Sequence, residues 1–269
     1  MPIIHAKDGS TISFSDLGSG PPVLFLHGWM MSKKIWHFQL PLSSTLRIVT
    51  MDLRGHGRSD STGFSYAACL NDIEVLLNYL AIENVIVVGW SMGSQIAIKA
   101  AALLKERISG LILVGGTSRF CSTDDYLCGI PTKETRGMAV RLKRDYKLTA
   151  GQFFKTMFSE EETASVDLLD IAAKTSCEYP SLQVSLTALN ELTATDLRHY
   201  LPNTNLPVLL IHGAEDNICP VVSAHFMADH LPRAISKIIP FTGHAPFLTA
   251  PEIFNAEVSR FARSINGRD

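Results

Sequence analysis

Gly89-Trp90-Ser91-Met92-Gly93 constrains this chain more than any other stretch of it. The apolar run Asn84-Val85-Ile86-Val87-Val88 precedes it, and the small-residue run Ser94-Gln95-Ile96-Ala97-Ile98-Lys99-Ala100-Ala101-Ala102 follows. The first reads as a strand buried on both faces, the second as a helix. Joining them through Gly-x-Ser-x-Gly requires a turn so tight that the serine backbone is strained, with glycines on both sides where a Cβ would collide. The serine hydroxyl then projects at the head of the helix, where backbone N–H groups and the positive dipole end favour a developing negative charge. Glycine–serine turns are common, and the flanking strand and helix are what make this one a place to present a nucleophile.

The same alternation runs through the rest of the chain. Thr11-Ile12-Ser13-Phe14 alternates like a strand, Val23-Leu24-Phe25-Leu26 and Leu46 to Asp52 read as strands, and Ala67 to Leu80 carries Leu70, Ile73, Leu76, Leu77 and Leu80 at helical spacing. After the elbow come Leu111-Ile112-Leu113-Val114-Gly115 and, much later, Pro207 to Gly213 and Ser236 to Pro240. Strands alternating with helices predict an α/β fold, a doubly wound and mostly parallel sheet. Between residues 118 and 202 no buried strand is evident. Helix starts are read there at Pro131, at Thr149-Ala150-Gly151-Gln152, at Ser159-Glu160-Glu161-Glu162 and at Pro180. The expected organisation is a core of residues 1–117 and 203–269, with 118–202 inserted as a helical cap over the carboxyl edge of the sheet, where such sheets bind ligands.

With 269 residues, 46% apolar and 19% charged, the chain can bury a full core. A net charge of −2 gives no general attraction to nucleic acid. No basic and apolar leader opens the chain, and no apolar run is long enough to span a bilayer. Cys69, Cys121, Cys128, Cys177 and Cys219 form neither a paired framework nor a metal motif. A soluble, cytoplasmic protein with reduced thiols is expected, with no cofactor, metal, nucleic-acid or membrane partner.

A serine nucleophile needs a base and a group to orient it. Asp216 is the acid candidate, in the loop Gly213-Ala214-Glu215-Asp216-Asn217-Ile218-Cys219-Pro220; its neighbour Glu215 points elsewhere, and a turn-capping aspartate is the plainer alternative. His244, in Phe241-Thr242-Gly243-His244-Ala245-Pro246-Phe247, follows a strand and is the base candidate. His27 and His56 sit in glycine-rich loops and read as backbone supports, while His212 at a strand end carries no motif. The backbone N–H groups of Met92 and Trp29 are the expected oxyanion donors. The loop Asp52 to Ser59 reads as structural.

Together these motifs resemble the α/β-hydrolase superfamily over nearly the whole chain. His27-Gly28-Trp29, Gly89-Trp90-Ser91, Ser118, Asp196-Leu197-Arg198 and His244-Ala245-Pro246-Phe247 carry a narrower likeness, to the pimeloyl-[acyl-carrier-protein] methyl ester esterases of biotin synthesis. That resemblance implies a Ser91–His244–Asp216 triad, and an ester cleaved while its acyl chain is still on the carrier protein. Asp52-Leu53-Arg54-Gly55-His56-Gly57 departs from the Leu-Pro-Gly-Phe-Gly of the enterobacterial enzymes and is shared with cofactor-free haloperoxidase-like esterases. A generalist carboxylesterase or perhydrolase, a carbon–carbon bond hydrolase and a ligand-sensing protein of this fold stay open.

The cap bears on the choice. On one helix from Pro131, Lys133, Arg136, Lys143, Arg144 and Lys147 fall on one side and Met138, Leu142 and Tyr146 on the other. Family members act on carrier proteins, which are acidic, and such a stripe would steer one; a solvated amphipathic helix has the same pattern. Phe153, Phe154, Met157 and Phe158 form an apolar cluster that could line an acyl channel or simply be core.

Overall fold

Short runs of β-branched and aliphatic residues become the strands, and their order builds one sheet. A computed structural model describes residues 2–60, 62–175 and 179–267, so Cys177 lies outside the described residues. In chain order the strands are β1 Ile3–His5, β2 Thr11–Leu17, β3 Pro22–Leu26, β4 Arg47–Met51, β5 Val85–Trp90, β6 Ile108–Val114, β7 Val208–Gly213 and β8 Ala234–Ile239. The helices are α1 Tyr66–Tyr79, α2 Met92–Leu103, α3 Thr132–Arg144, α4 Tyr146–Lys155, α5 Glu160–Ser165, α6 Leu168–Thr175, α7 Leu182–Ala194, α8 Val221–His230, α9 Pro246–Thr249 and α10 Pro251–Ile265.

The eight strands are ordered β1-β2-β4-β3-β5-β6-β7-β8. β1 pairs with β2 and β2 with β4 in antiparallel fashion; every other pairing is parallel. All residues of β5 and β7 are buried, as the sequence pattern requires of strands with helices on both faces. α2 packs against β5 and β6, and its alanines let it lie close. Because β3, β5, β7 and β8 run the same way, the loops that follow them meet at one edge.

Among the described residues, the α-helices α3 to α7 and a 3-10 turn at Arg198–Asn203 lie between β6 and β7. Their boundaries correct the sequence reading in three places. The helix opened by Pro131 ends at Arg144, because Asp145 leaves helical geometry (φ −151°, ψ 95°) and its side chain accepts the N–H of Leu148 to cap α4. Lys147 therefore belongs to a different helix from the other cations. Thr149 is no cap: it sits one turn inside α4, its hydroxyl donating to the carbonyl of Asp145. The capping box of Ser159 and Glu162 is present, and Ser181 rather than Pro180 caps α7. Among the described residues no helix is long and apolar enough to cross a membrane.

Candidate active site

Four of the converging loops bring in the residues singled out by sequence. Ser91 follows β5 with φ 55° and ψ −117°, a conformation costing on the order of 1–3 kcal/mol in a non-glycine residue. The turn is held by Ser91 N–H donating to the carbonyl of Val114 (2.9 Å) and by Ser94, whose N–H (2.9 Å) and Oγ (2.6 Å) both donate to the Ser91 carbonyl. A Cβ on Gly93 would lie 2.8 Å from the His27 carbonyl oxygen, so glycine is required where the elbow passes the β3 loop. Met92 opens α2, and its N–H has no carbonyl one turn back to bind.

Asp216 and His244 meet in the interior. Nδ1 of His244 lies 2.8 Å from Oδ2 of Asp216, and both side chains are almost fully buried. Asp216 Oδ1 accepts the N–H groups of Ile218 (2.9 Å) and Cys219 (2.8 Å). Burial opposes its charge, but the nearby His244 and the hydrogen bonds from His212 and His244 outweigh burial and hold the carboxyl well below the usual range. With Nδ1 donating to that carboxylate, Nε2 of His244 carries the free lone pair. This buried atom has no hydrogen-bond partner among the described residues. The Trp90 indole, one residue before Ser91, donates to the His244 carbonyl (2.9 Å) and so ties the histidine loop to the elbow.

Sequence reasoning gave His212 no role, yet it is the second histidine at this carboxylate. Its Nε2 donates to the Cys219 carbonyl (2.7 Å) and lies 3.2 Å from Asp216 Oδ2. The missed signal was spacing: the last buried residues of a strand face the loop four residues on. His27 and the Asp52 loop are structural, as read from sequence. His27 Nδ1 donates to the Gly28 carbonyl and Nε2 accepts from Leu53 N–H, while the buried Asp52 pairs with Lys33 at 2.5 Å.

A cavity of about 420 Å³ opens over Ser91. Its wall is mainly apolar, with Trp29, Met138, Phe153, Leu189 and Ile218, and Glu134 and Arg141 of α3 supply charge. The Trp29 indole is fixed from the helices above: it donates to the Ser185 carbonyl of α7 (2.9 Å) and meets the Phe153 ring of α4 edge-on at 4.8 Å. Phe153 is thus the one member of the predicted acyl-channel cluster that reaches the wall. Met157 and Phe158 are buried in the apolar core, Met157 with its carbonyl turned to His244, and the half-buried Phe154 packs against that core and on Phe158 (5.3 Å). Phe154 is turned about 100° round α4 from Phe153, and Met157 and Phe158 lie past the end of that helix. Lys133, Arg136, Lys143 and Arg144 on α3 and Lys147 on α4 are solvent-exposed. Among the described residues no cluster of His, Cys, Asp and Glu is placed to hold a metal ion.

Residues 23–257 match the model of the alpha/beta hydrolase family. The chain is 34% identical over 250 residues to pimeloyl-[acyl-carrier protein] methyl ester esterase of Nitrosomonas europaea, covering 91% of this chain and 97% of that one. To the protein of the same name in Yersinia enterocolitica it is 31% identical over 247 residues, covering 91% and 94%. Among solved structures, an esterase from Exiguobacterium antarcticum superposes with a TM-score of 0.89 at 28% identity, covering 97% and 98% of the two chains.

Proposed function

We propose that this chain, which belongs to the alpha/beta hydrolase family and is a carboxylic-ester hydrolase, cleaves the methyl ester of a pimeloyl chain held on acyl carrier protein. The observation that carries the reading is the buried Asp216–His244 pair, its Nε2 unpartnered, tied through the Trp90 indole to the elbow whose strained Ser91 lies on the wall of an apolar cavity. Ser91 Oγ attacks the ester carbonyl while His244 Nε2 takes its proton, and Asp216 holds the imidazolium that forms. The N–H groups of Met92 and Trp29 donate to the oxyanion. His244 then protonates the departing methoxide, and water activated by the same imidazole releases the acyl group from Ser91. Residues 118–202 act as the cap over a core of 1–117 and 203–269.

Two observations support the substrate. Curated relatives at 31–34% identity bear the name of that esterase. Arg136, Lys143 and Arg144 on α3, with Lys147 on α4, give the helices around the cavity an exposed cationic face suited to an acidic carrier. Phe153 takes the acyl chain. The likeness to the Exiguobacterium esterase favours a second reading, an esterase of small free esters.

Turnover of pimeloyl-carrier-protein methyl ester and of short p-nitrophenyl esters, each at low and high salt, separates the two. A preference in kcat/KM for the carrier-bound ester that shrinks as salt rises is the expected result. Faster, salt-independent turnover of the short esters would leave the second reading. Ser91→Ala should cost about 10⁴-fold or more in kcat on either substrate while the protein stays folded.

A further inference from the structure

The loop bearing His244 is gripped by a carboxylate outside the Ser91–His244–Asp216 set. Glu162 is 5% exposed, although it lies in a short surface helix rich in acid. Its Oε2 accepts two backbone N–H groups, from Ser159 at 2.7 Å and from Gly243 at 2.8 Å. Its Oε1 accepts the hydroxyl of Thr249 in α9. The first of these bonds is half of a capping box and belongs to α5 alone. The other two leave the helix altogether, for residues 81 and 87 positions away on both sides of His244.

Further bonds run the same way. His244 N–H donates to the Met157 carbonyl at 2.7 Å, and Ser159 Oγ donates to the Phe241 carbonyl at 3.0 Å. The approach is so close that a Cβ on Gly243 would lie 2.5 Å from the Met157 carbonyl oxygen. Residues 157–162 and 241–249 are therefore joined by one backbone–backbone bond and by the side chains of Ser159 and Glu162, with the buried Glu162 carboxylate as the hub. Phe153 and Thr156, immediately before this segment on α4 and its cap, form part of the cavity wall.

We infer that Glu162 is a positioning residue, which fixes the backbone of Gly243-His244 against the helical segment walling the cavity and so aims the imidazole. The inference rests on His244 being the base, as proposed above. Charge-assisted bonds to backbone N–H groups are short and directional, and a catalytic group displaced by about 1 Å can lose on the order of 10²-fold in rate. A side chain that only stabilised the fold would lower the melting temperature and leave the turnover of each folded molecule alone.

The test compares Glu162→Ala and Glu162→Gln with wild type on a p-nitrophenyl ester, active molecules being counted by stoichiometric phosphonylation of Ser91; Ser91→Ala, which that reagent cannot label, is compared per folded molecule. Glutamine can present its carbonyl oxygen to both N–H groups and let its amide donate to Thr249, so it keeps the clamp without the charge. Glu162→Ala should lower kcat per active molecule about 10- to 100-fold with KM changed less than about threefold, and Glu162→Gln should recover most of that loss. Wild-type kcat in folded Glu162→Ala, or Glu162→Gln as slow as Glu162→Ala, would overturn the inference. Should Glu162→Ala not fold, Thr249→Val takes its place: it removes the anchor on Oε1 alone and should lower kcat about threefold or more at constant KM, and an unchanged kcat would be as damaging. Ser91→Ala separates the two levels: if it retains activity the proposed function fails, whereas if it is inactive and the clamp variants are normal, only the role of Glu162 falls.

Discussion

Asp216 shows how much one side chain owes to neighbours at different distances along the chain. Ile218 and Cys219 reach its Oδ1 through a local turn, whereas His244 comes from the loop after the next strand and His212 from the end of the strand before. Cys219, for which the sequence offers no role beyond filling space, takes part through its backbone, donating to Asp216 and accepting from His212. His212→Phe should leave a buried carbonyl without its donor and Asp216 with one partner fewer. A loss of about 1–3 kcal/mol in urea unfolding is expected, and unchanged stability would deny His212 that part. The nucleophile, acid and base candidates are legible because each sits in a short motif just past a strand. His212 and Glu162 are not: a histidine at a strand end and a glutamate in a capping box look complete in sequence, and their second partners lie across the fold.

At the scale of elements, the cap helices do two separate things. α3 turns Met138 and Arg141 to the cavity and keeps Lys143 and Arg144 in solvent, so its amphipathic pattern is real even though the helix is shorter than the periodicity suggests. Asp145 is what shortens it, since an aspartate that can cap a new turn competes with its own continuation in the old one. Lys143→Glu/Arg144→Glu should reduce kcat/KM for a carrier-bound ester about tenfold at low salt, with little effect at high salt or on a p-nitrophenyl ester. An equal loss on both esters would place these residues in the fold instead of at a docking face. α4 contributes Phe153 to the wall while Met157, just past its end, turns inward, a division set by the helix ending where the chain meets the histidine loop.

For the molecule as a whole, acid stability follows from buried histidines. Burial pushes His27 down to about 4 and, with His27 close by, pushes His56 down to about 3. Both are neutral in the fold but charged in the unfolded chain below about pH 6.5. The unfolded chain then binds more protons, so stability falls as pH drops through this window toward the folded values. Each histidine should cost about 2 kcal/mol between pH 7 and pH 5, measured as a lower urea midpoint at constant slope; a midpoint flat across that range would contradict it. The sheet and the elbow are written in the sequence because they rest on local physics. An unbroken aliphatic run is stable only between two layers of helix, and Gly-x-Ser-x-Gly between strand and helix admits one kind of turn. The grip of residues 157–162 on the histidine loop, the second histidine at Asp216 and the cavity face of each cap helix were decided by tertiary structure alone. Each depends on distances between segments far apart in the chain, and those distances exist only once the sheet has brought its loop ends together.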